Sequence, residues 1–204
     1  MKKILVYILF AGCLFFTPAR ANTTFTLDPP DGAISGLPGT TVGWGFTFTN
    51  DTDYALITGT QFCDSTSSPL PAICVPPTPD LGTYTDFSAA GFLVIGPAPE
   101  SPSVSEAFDN SLLTGIGSFA IDPGASGTES GIIVLTYDLY SVSPNDPNFD
   151  PTQDEVSGGN YLTAAASVSA VPEPGYVPLL GIGLAALGAR LRRSRRSQTG
   201  PRPV

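Results

Sequence analysis

Hydrophobic positions along the chain follow two patterns. From Pro38 to Asn50 they recur at every second residue, with Val42, Trp44, Phe46 and Phe48 on one side and Gly43, Gly45, Thr47 and Thr49 on the other, which is the period of a half-buried strand. Ile132 to Tyr140 repeats it, setting Ile133, Leu135, Tyr137 and Leu139 against Val134, Thr136 and Asp138. Leu162 to Val171 is a third long candidate, rich in Ala, Ser and Val, and shorter ones lie at Thr24–Leu27, Ala55–Phe62, Phe92–Ile95 and Ser118–Ile121. At the two ends alternation gives way to unbroken apolar blocks, Ile4–Phe16 and Tyr176–Ala189.

About seven short strands separated by Gly, Pro, Ser and Thr predict an all-β domain over residues 22–170, an immunoglobulin-like β-sandwich. The Pro38–Asn50 run is similar to the strand entry of bacterial immunoglobulin-like surface domains. The Cys, Trp, Cys order of true immunoglobulins is absent, because Trp44 precedes both Cys63 and Cys74. Ser105–Leu113 predicts one short helix, Asn50–Asp53 a hairpin turn, and the proline-rich stretches Ser68–Pro79 and Gly96–Ser103 loops.

The first apolar block follows Lys2 and Lys3 and precedes Thr17-Pro18-Ala19-Arg20-Ala21, the layout of a signal peptide cleaved by signal peptidase after Ala21. Phe10-Ala11-Gly12-Cys13 is similar to a lipoprotein signal, which would place a lipid on Cys13. The second block spans 14 residues and would make a helix of roughly 21 Å, short for a hydrocarbon core of about 30 Å. Arginines at 190, 192, 193, 195 and 196 follow it; their stems can reach the headgroups and hold that end in the cytoplasm. Pro172-Glu173-Pro174 precedes it, and two prolines around one residue favour an extended, accessible segment.

Those three parts, in that order, resemble the PEP-CTERM sorting signal of Gram-negative bacteria. The resemblance implies that Pro172, Glu173 and Pro174 are read by an exosortase-type transpeptidase. It further implies that a single transmembrane helix and a basic anchor, Arg190, Arg192, Arg193, Arg195 and Arg196, hold the chain transiently in the inner membrane before delivery to the cell surface or the medium. The tail covers residues 171–196, leaving 197–204 as an expected disordered end.

Charge sharpens the picture of the domain between the ends. All nine basic residues lie in the two terminal segments, and the chain has no histidine, yet seventeen of its eighteen acidic residues fall between Asn22 and Pro172. Carboxylates there must be solvated, hydrogen-bonded, or neutralised by cations from outside. Direct binding to nucleic acid or to an anionic membrane surface is disfavoured, since nothing neutralises phosphates. Serine–histidine and cysteine–histidine catalysis, Schiff bases and imidazole metal sites are excluded by composition. Carboxylate-pair glycoside hydrolysis needs only two acids and stays open.

Two cysteines, Cys63 and Cys74, remain after export, and an even count outside the cytoplasm predicts a disulfide. The segment 145–155 spaces oxygen ligands at Asp146, Asn148, Asp150 and Asp154, as calcium requires. Pro151 and Ser157 stand where an EF-hand has its turn glycine and bidentate glutamate, and a solvated Asx/Pro turn is the other reading. The expected role is therefore structural or adhesive, at the surface or in an extracellular polysaccharide matrix, without enzymatic activity and with no cofactor unless calcium. The alternatives are a module binding calcium, a glycan or ice, and a secreted glycoside hydrolase.

Overall fold

A computed structural model describes residues 23–88, 93–97, 99, 102–171 and 184–185. Ten strands run in chain order: β1 (Thr24–Asp28), β2 (Ala33–Gly36), β3 (Thr41–Thr49), β4 (Tyr54–Cys63), β5 (Gly82–Asp86), β6 (Val94–Ile95), β7 (Ser103–Glu106), β8 (Gly117–Ile121), β9 (Gly127–Tyr140) and β10 (Glu155–Ala170). One sheet has the order β1-β3-β8-β5, with β7 also paired to β3; the other has the order β2-β10-β9-β4-β6. Pairing is antiparallel except between β2 and β10, which run parallel.

The core lies between the sheets and is made by the alternation visible in sequence. Trp44, Phe46 and Phe48 of β3 and Phe119 of β8 face Ile133 and Leu135 of β9 and Val168 of β10, all at most 1% exposed. Aromatic rings bridge the layers, with Phe48 edge-on to Tyr137 at 5.6 Å and Phe62 edge-on to Phe119 at 5.9 Å. In β4 the buried residues are Ala55 and Ile57, then Thr60 and Phe62, with Cys63 also buried at the strand's end. That change of phase falls where the ladder with β9 slips between Ile57 and Gly59, because one extra residue in a strand reverses which side chains face inward.

Three expectations need correction. Among the described residues the strands number ten rather than about seven: β2, β5 and β7 are short, polar segments held by backbone pairing to β10, β8 and β3, without a hydrophobic alternation to announce them. Ser105–Leu113 is not helical. Ser103–Glu106 pairs with β3, and Asp109 then closes a tight turn by accepting the Ser111 and Leu112 backbone N–H groups at 2.7 and 3.1 Å, a local bond that competes with helix. Asn50–Asp53 is not a hairpin turn, since β3 and β4 belong to different sheets. Asn50 is fully buried there, and its side-chain amide donates to the Asp53 carbonyl.

The signal segment 1–21 with Cys13, the triplet Pro172-Glu173-Pro174, the five tail arginines and residues 197–204 lie outside the described residues. Of the expected tail helix only Leu184 and Ala185 are described, and both are helical. Among the described residues no helix is long and apolar enough to cross a membrane.

Buried Glu129 shows how a domain without side-chain cations handles an interior carboxylate. It is 2% exposed and accepts the Leu81 backbone N–H at 2.7 Å. Burial, more than the opposing hydrogen bond from Leu81 or the nearby charge of Asp80, holds its carboxyl above the ordinary range. A folded-state pKa above the unfolded one means that the folded protein is favoured while Glu129 is protonated, and that this advantage is lost as pH rises through the folded value. Glu129→Gln, which keeps an acceptor for Leu81, is therefore expected to raise the melting temperature at pH 7 and to change it little near pH 4. Thermal melts of both proteins across that range check the prediction; a variant less stable at pH 7 would contradict it.

Candidate functional site

Three regions of the domain concentrate polar or exposed apolar groups. The first is the β9–β10 connection, which holds Asp146, Asn148, Asp150 and Asp154. Asp146 accepts the Asn148 backbone and side-chain N–H groups at 2.8 and 3.1 Å. Asp150 accepts the Thr152 N–H and hydroxyl on one oxygen and the Gln153 amide on the other, at 2.9, 2.6 and 2.9 Å. These bonds, chiefly that from the Thr152 hydroxyl, hold its carboxyl below the usual range. Asp154 accepts the Asp150 backbone N–H at 2.8 Å. The carboxylates thus cap successive turns, the geometry of an Asx loop. Among the described residues no group of three or more His, Cys, Asp or Glu is arranged to hold a metal ion.

From this arrangement we expect salt rather than a specific cation to relieve the charge. With no internal counter-ion, the melting temperature should rise with sodium chloride as the Debye length falls from about 30 Å to about 8 Å. Calcium at matched ionic strength should add no saturable increment. A melt indifferent to salt would contradict the first part, and a saturable calcium shift the second.

The second region joins the two sheets. Thr60 of β4 donates its hydroxyl to Asp86 of β5 at 2.6 Å and lies 2.8 Å from the Tyr84 hydroxyl, while its backbone N–H donates to the other Asp86 oxygen at 3.0 Å. Ser88 adds its N–H and hydroxyl to Asp86 at 2.8 and 2.7 Å. Burial pushes the Tyr84 hydroxyl far above the ordinary tyrosine range, so it stays protonated. Beside this network opens a cleft of about 400 Å³ lined by Phe46, Ile57, Leu93, Glu106, Leu113 and Ile116 among others. Leu112 and Leu113 are 73% and 53% exposed at its wall, and Leu113 has φ +55°, a left-handed conformation unusual for leucine. Sequence reasoning missed this site; the one available signal was the Leu112-Leu113 pair standing in a polar turn.

The third region is the end of β10. It is an interior strand, flanked by β2 and β9, and its last residue, Ala170, pairs with Gly36 on one side and Gly127 on the other. Val171 still donates its N–H to the Gly36 carbonyl at 2.9 Å. Pro172, the next residue, has no N–H with which to continue. Strand pairing is therefore described up to the residue that directly precedes the Pro-Glu-Pro triplet. Residues 170–193 match the family described as the PEP-CTERM protein-sorting motif. The chain carries a PEP-CTERM sorting tail.

That PEP-CTERM tail is consistent with an exosortase substrate and implies an exported protein processed by an exosortase-type system. No curated protein matches the chain. Among solved structures, WR4, a C. elegans MSP family member, is 12% identical over 74% of this chain and 100% of its own, with a TM-score of 0.33. AvmM, which catalyses macrocyclization in alchivemycin A biosynthesis, is 17% identical over 76% of this chain and 92% of its own, with a TM-score of 0.26. Likeness this distant bears on neither activity nor ligand.

Proposed function

We propose that the protein is a structural or adhesive component of the cell surface or extracellular matrix, an immunoglobulin-like sandwich exported by its signal segment and sorted through its PEP-CTERM tail. The single observation carrying this reading is the sorting motif beginning on the last residue of the last strand. The body supports it in a simpler way. Among the described residues every buried side-chain nitrogen and oxygen has a partner, and the carboxylates described above are spent on turns and strand contacts. An acidic, disulfide-closed sandwich suits a solvated extracellular setting.

In the native host, deletion of residues 172–204 is expected to remove the protein from the surface fraction and weaken cohesion of the matrix. Unchanged cohesion on loss of the protein would count against an adhesive role. The cleft favours a second reading, a ligand-binding module, since its volume lies within the range of small-molecule sites and its walls are mostly apolar. Binding of purified domain to host polysaccharide or to a glycan array, lost in Leu113→Asp, would support it. Release of reducing ends from the same glycans would instead identify a hydrolase.

A further inference from the structure

We propose that, while the tail holds the chain in the membrane, the sandwich stands upright on the bilayer with the end formed by Leu37–Thr40 and Asp122–Gly127 against the lipid headgroups. This rests on the sorting reading above and goes beyond it, by assigning a membrane-facing surface to the folded domain. Connectivity supplies the first argument. Val171 is fixed by its bond to Gly36, and the apolar block begins at Tyr176. The intervening Pro172–Gly175 can extend to no more than about 14 Å. Because β10 is tied on both sides as far as Ala170, this short tether leaves from a firm point rather than a fraying end.

The same end gathers the β2–β3 and β8–β9 turns. Gly39 and Thr40 bond to Ile121, and Asp122 bonds to Leu81, so these turns and the start of β5 surround the point where the tail leaves. Its exposed residues include Leu37 and Val171, 40% and 48% accessible, with the exposed carboxylates Asp80 and Asp122 beside them. The opposite end is far more acidic. Asp51 and Asp53 in the β3–β4 connection, Asp146, Asp150 and Asp154 in the β9–β10 connection, and Glu155 at the start of β10 lie at or beyond the far ends of β4 and β9, where Tyr54 pairs with Tyr140. The 14 residues of β9 separate the two ends by roughly 45 Å at about 3.3 Å per residue.

Electrostatics then selects the orientation. An anionic headgroup surface repels carboxylates within about one Debye length, near 8 Å at physiological salt, and scarcely beyond it. Standing on the tail end places the exposed Asp80 and Asp122 in that layer and holds the acidic end clear. Lying on a side would bring further carboxylates and the β9–β10 loop down to the surface. The acidic end thus becomes the face offered to whatever lies outside the membrane.

The test uses the signal-processed chain with its tail intact, reconstituted in vesicles of zwitterionic and anionic phospholipid whose headgroups carry an energy acceptor. A donor dye is placed at Ser126→Cys or at Thr52→Cys, both exposed positions at opposite ends, with the native cysteines closed in their disulfide. Transfer from position 126 is expected to exceed that from position 52 several-fold, and a flexible Gly-Ser insertion of ten residues after Val171 should shrink the difference. Equal transfer from the two positions in the uninserted chain, with the protein floating with the vesicles, would overturn the upright orientation and leave the sorting reading intact. Failure of the chain to float with vesicles, when compared with a chain ending at Val171, would overturn the tail anchor itself and the orientation with it.

Discussion

Trp44→Ala is expected to destabilise the domain by about 3 to 5 kcal/mol, the cost of emptying a large buried aromatic site. Trp44 is fully buried and packs against Phe62 and Tyr84 at ring distances of 5.7 and 6.2 Å. Its Nε1–H donates to the Gly32 carbonyl at 2.8 Å. Gly32 sits in the crossing from β1 in one sheet to β2 in the other, at φ +65°, where a Cβ would meet the Ala165 carbonyl oxygen at 2.0 Å. The indole therefore fastens the crossover that lets β2 reach β10. Because the Gly32 carbonyl also accepts the Ser167 N–H, Trp44→Phe should leave no orphaned acceptor and cost less than Trp44→Ala. Thr47→Ala, on the other side of β3, loses only an exposed bond to Ser105 and should cost under about 1 kcal/mol. Urea unfolding measures all three, and equal losses at positions 44 and 47 would contradict the assignment of faces. Since the chain has a single tryptophan, blue-shifted, quencher-resistant emission is a direct check on its burial.

Opening the disulfide should have the next largest effect. Cys63 and Cys74 are bonded with their Cα atoms 5.1 Å apart and 11 residues apart in sequence, and Cys63 is the buried last residue of β4. Closing a loop of that size stabilises by about 3 kcal/mol under the chain-entropy account. The loop has supports of its own, since the Asp64 backbone N–H donates to the Val75 carbonyl at 2.7 Å and the Val75 N–H donates to the Ser67 hydroxyl oxygen at 3.1 Å. The double variant Cys63→Ala, Cys74→Ala should therefore still fold cooperatively with a lower urea midpoint, and reductant should bring the parent down by a similar amount. A midpoint unchanged by both treatments would show that the bond contributes nothing to stability.

How much was legible in the sequence depended on whether a residue's role was set locally. The inward positions of β3 and most of those of β9 followed from period two, because a strand between two layers must separate its faces. The disulfide followed from cysteine count and compartment. β2, β5 and β7 did not, since their pairing is imposed by neighbours and leaves no periodic trace. In the Asp109 turn a side chain satisfying its own backbone outcompeted helix, and Asn50–Asp53, which reads as a hairpin, instead carries the chain between sheets. Thr60 became an interior residue only through the bulge in β4. The cleft is assembled from β3, β4, Leu93 and the segment 106–116, a convergence that no single segment announces. The sorting tail is the reverse case, since order and spacing within one short segment identify it.

Intact-mass spectrometry of the protein recovered from the surface of its native host tests the central claim most directly. The account predicts a mature form that begins at Asn22 and lacks residues 190–204, the arginine-rich end having been removed with the membrane segment. Retention of residues 190–204 on the mature surface form would contradict it.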